Sequence, residues 1–158
     1  MEKHSEEMVK TGNGRLRLLK RLSGITWGSS TDTLLTTYKT YVKPVLEYGG
    51  ELIATASNTC QRQIDLTQNK ALRLITGAAG STPIAAMEIQ TGLEPLNIRR
   101  KQQLVKLHEK CRRLNLKHWQ DYTIAMARLK THKSFLSCAF QLYDLYNFAP
   151  AQIGRAHV

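Results

Sequence analysis

Apolar residues recur every three or four positions along most of this chain, and single alternation of apolar and polar residues is nearly absent. That period belongs to α-helices that bury one face. Residues 15–22 place Leu16, Leu18, Leu19 and Leu22 between cations and predict a first helix after Gly12-Asn13-Gly14, so residues 1–14 read as a polar N-terminal segment. Ser23-Gly24 stops that helix and Trp27-Gly28-Ser29-Ser30 forms a turn. Ser30 or Thr31 can cap the next helix, with Asp32 favourable in its first turn. That helix carries Leu34, Leu35, Tyr38, Tyr41 and Val42 until Pro44 breaks or kinks it. Residues 45–56 continue as a second helical piece, weakened at Gly49-Gly50, where another backbone can come close.

A third helix is predicted from Ser57 or Asn58 through Thr76, with Ile64, Gln68, Ala71, Leu72 and Ile75 on one face and Gly77 as a left-handed C-cap. Ser81-Thr82-Pro83 starts a short helix that Gly92 ends. A long basic helix follows from about Pro95. Beyond Asn115, residues 119–130 read as helical and residues 135–148 as an aromatic-rich amphipathic segment. The expected fold class is all-α, a compact bundle of about five to seven helices with no sheet.

Charge changes this picture. The 158 residues carry a formal net charge of +11. Residues 99–133 hold eleven Lys or Arg against Glu109 and Asp121 alone, a net +9 in about a fifth of the chain. On a helix, Arg99, Lys106, Lys110, Arg113 and Lys117 fall within roughly 60° of one another. Leu104, Leu107, Cys111 and Leu114 occupy another face. A row of fixed cations opposite a buried face suits a polyanion such as a nucleic-acid backbone. Arg100 joins that set by position, and Arg15, Arg17, Lys20 and Arg21 form a second one.

Catalytic chemistry is harder to find. Of twelve acids only Asp32, Asp65, Asp121 and Asp144 are aspartates, and none is adjacent to another, so no two-metal carboxylate cluster is legible. His108-x-x-Cys111 places two metal ligands one turn apart without a second pair to complete a site. Gly77-Ala78-Ala79-Gly80-Ser81-Thr82 lacks the lysine of a phosphate-binding loop and suits a helix connection. The three cysteines are far apart and read as small buried residues in a reducing compartment. Tyr38, Tyr41 and Tyr48 recur at helical spacing, which favours core packing over base stacking. No metal ligand set and no cofactor is expected. The polar start shows no signal peptide, and no run of about 18 apolar residues exists to span a membrane.

Four segments stand in a particular order: Leu16-x-x-Leu19-Lys20-x-Leu22-x-Gly24-x-x-Trp27-Gly28; Tyr41-x-x-Pro44-Val45-Leu46-Glu47-Tyr48-Gly49; residues 68–78, reading QNKALRLITGA; and Pro83-Ile84-x-Ala86-x-x-Ile89-x-Thr91-Gly92-Leu93-Glu94-Pro95-Leu96-x-x-Arg99-Arg100. Their succession resembles the region after the catalytic palm in reverse transcriptases of non-LTR retrotransposons of the arthropod type. The resemblance covers about residues 16–114 and implies a thumb and connection, here residues 15–116, with residues 117–158 as a helical extension toward an RNase H domain. It implies a template–primer duplex of RNA and DNA as partner, held by backbone contacts from the cations named above. The parent would be an RNA-directed DNA polymerase with RNase H, using a divalent metal such as Mg at its palm and working inside the cell, in cytoplasm and nucleus. The chain departs from the family in lacking the palm's aspartate pair and the RNase H carboxylates, and in having Glu51-Leu52-Ile53 where a tryptophan is usual. The expectation is a retroelement fragment that binds nucleic acid and is inactive alone. A helical protein-interaction module and a non-functional pseudogene product are the other readings.

Overall fold

The computed structural model describes residues 2–24, 28–113 and 134–146. Among them, helices α1 (Glu2–Leu22), α2 (Thr31–Thr37), α3 (Lys43–Glu47), α4 (Gly50–Ile53), α5 (Asn58–Thr76), α6 (Ile84–Thr91), α7 (Leu96–Arg113) and α8 (Phe135–Tyr146) make up an all-α bundle, with no strand among the described residues. The expected fold class holds.

α1 departs most from its expected bounds. It begins at Glu2, and the segment read as polar and separate is three turns of helix. Ser5, Met8, Gly12, Leu16 and Leu19 form one buried stripe. Two of its five members are small or polar, which hid the period. Gly12 serves as a notch: a Cβ there would lie 2.8 Å from Leu46 Cδ2 and 3.2 Å from Thr67 Cγ2, so α1 sits close against α3 and α5. Lys20 and Arg21 in the last turn suit the helix dipole.

α2 and α3 are joined without a break by a π-helical turn, Tyr38–Val42. Pro44 has no N–H to donate, and its ring would crowd the Thr40 carbonyl in a regular helix. Widening by one residue, with Lys43 N–H on Tyr38 O, lets the chain pass the proline without ending. The predicted kink is therefore a π turn. Continuity of residues 45–56 does not hold. Tyr48 is extended and Gly49 is left-handed at φ 63°, so α3 and α4 are separate. α5 matches its prediction: the Ser57 hydroxyl accepts from Cys60 N, and Gly77 at φ 66° closes the helix. Pro83 stands one residue ahead of the α6 helix rather than in its first turn.

The main core gathers Leu16, Leu19, Leu34, Tyr38, Val42, Leu46, Ile64, Leu72, Met87 and Leu96, from α1, α5 and the helices packed against them. A smaller cluster of Leu104, Ala139, Leu142 and Tyr143 fixes α8 onto α7. Within the main core, Tyr38 Oη donates to Gln68 Oε1 at 2.9 Å, and Gln68 Nε2 donates to the Glu94 carbonyl at 3.2 Å. Both buried polar ends are thereby satisfied. Burial, and then the charge of Glu47, push the Tyr38 phenol well above the ordinary tyrosine range.

Candidate nucleic-acid interface

α7 is held on two sides. Its buried stripe is Leu96, Arg100, Leu104 and His108, each four residues from the last. Near its start, Gly50 of α4 lets the helices approach: a Cβ there would fall 1.9 Å from Gln103 Oε1. Gln103 Nε2 in turn donates to the Glu47 carbonyl at 3.4 Å. At its other end, Tyr143 of α8 donates its phenolic proton to Glu109 Oε1. His108 Nδ1 lies 3.2 Å from the same phenolic oxygen, within hydrogen-bond distance. Phe140 packs edge-on to the His108 ring at 5.7 Å. His108 therefore belongs to the α7–α8 contact. Among the described residues no three of His, Cys, Asp and Glu form a metal-binding group.

The expected cation row is shorter than the sequence implied. Lys106, Lys110 and Arg113 are exposed along one side of α7. Arg99 shares their side but is spoken for: its Nε lies 3.0 Å from Glu47 Oε1 and its Nη1 3.6 Å from Glu94 Oε2. Those pairings, Glu47 first, raise its already high pKa. Arg100 is buried. It is 2% exposed, with Nη2 2.8 Å from Asp65 Oδ1 and 3.1 Å from Oδ2. Both arginines were expected to meet a nucleic-acid backbone. Arg100 cannot reach one without unfolding its surroundings, and Arg99 would first have to leave two carboxylates. Lys117 lies outside the described residues, as do residues 119–130 and Phe148.

The second set gains members. Arg17, Lys20 and Arg21 are exposed on α1, while Arg15 is half-buried, donating from Nη1 to the Tyr41 carbonyl with its guanidinium 4.6 Å from the Tyr41 ring centre. Because α1 starts at Glu2, Lys3 and Lys10 continue the row. Lys3, Lys10, Arg17 and Arg21 fall within about 40° on the side opposite the buried stripe, over roughly 27 Å of helix. The seven-residue spacing of Lys3, Lys10 and Arg17 was visible in the sequence. A helix that begins at Arg15 leaves Lys3 and Lys10 out of that row.

The tyrosines divide. Tyr38 is fully buried, but Tyr41 and Tyr48 are 43% and 71% exposed, so core packing is corrected for those two. On α8, Tyr143 is buried against α7, whereas Tyr146 is exposed. A cavity of about 350 Å³ beside α5 and α7 is lined by Asp65, Glu88 and two asparagines among others. Burial, and then the charge of Asp65, raise the Glu88 carboxyl. Its acidity makes it unsuited to phosphate, in contrast to the outer faces of α1 and α7. Among the described residues no helix is long and apolar enough to cross a membrane. Comparisons with family models, curated proteins and solved structures find no match for this chain.

Proposed function

We propose that this chain is a nucleic-acid-gripping module of the thumb and connection type, from a non-LTR retrotransposon reverse transcriptase, and that it holds a template–primer duplex by its backbone. The observation that carries the reading is the outer row of α7, Lys106, Lys110 and Arg113. These cations are exposed on a helix whose opposite side is fixed by Arg100, Leu104 and His108. A rigid helix holds its charges at set intervals, so little ordering cost falls on the backbone contacts. The Lys3, Lys10, Arg17 and Arg21 row adds a second contact of the same kind. Contacts of this sort position a duplex without reading its sequence. In this reading any bond-making belongs to carboxylates elsewhere in a parent polymerase.

The order of the four sequence segments supports the family assignment, and the two rows support backbone binding independently of it. The test is binding of a labelled RNA–DNA hybrid by the full chain and by Lys106→Gln/Lys110→Gln/Arg113→Gln. Loss of affinity at low salt supports the reading, and equal affinity overturns it.

A further inference from the structure

α1 and α3 do not close completely along their length. A groove of about 380 Å³ runs between them, lined by His4, Glu7, Thr11 and Arg15 from α1 and by Pro44 and Tyr48 from α3 and its end. Its two ends are aromatic. At one, the Arg15 guanidinium lies over the Tyr41 ring. At the other, the His4 and Tyr48 rings have centres 6.1 Å apart at an interplanar angle of 59°. Tyr48 stands out because α3 stops there: the extended residue and left-handed Gly49 after it turn the chain away, leaving the side chain 71% exposed. From His4 to Arg15 the groove follows about 16 Å of helix.

We propose that this groove is a site for unpaired nucleotides, with the exposed Tyr48 ring stacking one base, the tilted His4 ring beside it, and the Arg15–Tyr41 pair taking the next part of the strand. An exposed ring stacks on any base, and an arginine plane can do the same while its charge meets a phosphate. Glu7 lines the groove between the two ends, so phosphate is disfavoured on the floor and the bases turn inward. The proposal rests on the nucleic-acid reading but on different residues, so the two can fail separately. It gives the chain a place to hold a single-stranded template or displaced strand beside the duplex.

The experiment is anisotropy titration of the full chain with a fluorescent RNA oligomer of about eight nucleotides and, in parallel, with an RNA–DNA hybrid. Tyr48→Ala is expected to weaken the single strand about tenfold, in line with one lost base stack, and to leave the hybrid unchanged within about twofold. Tyr48→Trp, which keeps a stacking surface, is expected to bind the single strand as the wild type does. Circular dichroism checks that each variant retains its helices. Single-strand affinity equal in all three proteins overturns the groove. So does a Tyr48→Ala loss of equal size on both ligands, because that would place Tyr48 in general folding or backbone contact. Tyr48-dependent single-strand binding, alongside hybrid binding indifferent to the α7 row, would support the groove while removing the duplex reading.

Discussion

Arg100 of α7 and Asp65 of α5 form an ion pair through a single nitrogen, Nη2, which lies 2.8 Å and 3.1 Å from the two carboxylate oxygens. The arginine is buried, and its Nε and Nη1 have no hydrogen-bond partner. Asp65 is about a third exposed on its side chain. The charge that the sequence offers to a ligand is thus used inside the bundle, where α5 and α7 meet.

Such a pair is costly to break from one side only. Asp65→Ala leaves a buried guanidinium without its counter-charge and is expected to destabilise the protein by about 2 kcal/mol, less than for a fully buried pair because water reaches Asp65. Arg100→Met fills similar space and leaves a carboxylate that solvent can hydrate, so its expected cost is under about 1 kcal/mol. Urea unfolding of the two variants checks the order. Equal losses would mean that the pair is not what holds this contact.

Gly12 and Gly14 lie two residues apart in α1 and should respond in opposite ways to alanine. Gly14 has nothing within 4 Å of a new Cβ. Gly14→Ala is therefore expected to stabilise by about 0.5–1 kcal/mol through helix propensity. Gly12→Ala gains the same propensity but meets the Leu46 methyl at 2.8 Å, and Leu46 is itself buried. Overpacking of this kind costs about 1–3 kcal/mol, so a net loss is expected. Thermal melts of the two single variants decide it.

The same two glycines show what was legible in the sequence. Helices α5 and α6 could be read because their ends carry strong chemistry: Ser57, Gly77 and Gly92 are positioned where caps were expected. α1 could not, since Gly-Asn-Gly reads as a break when the contact that Gly12 makes with Leu46 is unseen. α7 shows the converse error. Its cations share a periodic row, but period alone does not tell which of them face carboxylates brought from Glu47, Asp65 and Glu94. Glu47 and Asp65 are distant in sequence, and only the packing of α7 on α3 and α5 brings them to it, whereas Glu94 stands five residues before Arg99 in the turn ahead of α7. Lys106, Lys110 and Arg113 escape because no such acid reaches them in the described contacts.

Tyr38 ties stability to alkaline pH. An unfolded tyrosine releases its proton near pH 10. The folded one holds it to higher pH because burial disfavours the phenolate and Glu47 adds to that. The stability it contributes is full below about pH 10 and is lost as pH rises from there toward the folded value. Tyr38→Phe removes that dependence and leaves Gln68 Oε1 without its donor, at an expected cost of about 1–2 kcal/mol at neutral pH. The wild-type advantage should shrink between pH 8 and about pH 10.5, as read from urea midpoints. Tyr38 is the one group changed between the two proteins, so the difference isolates it. A constant gap would contradict the assignment.

The salt dependence of hybrid binding tests the central claim most directly. Each phosphate contact contributes about 0.7–0.9 to the slope of log affinity against log salt. If Lys106, Lys110 and Arg113 each meet a phosphate, removing all three charges should flatten the slope by about 2–2.7. Arg100→Met, which alters a buried pair only, should leave it unchanged. The account predicts a steep slope in the wild type, a flatter one in the Lys106→Gln/Lys110→Gln/Arg113→Gln variant and no change in Arg100→Met. The same slope in the wild type and the triple variant would contradict it.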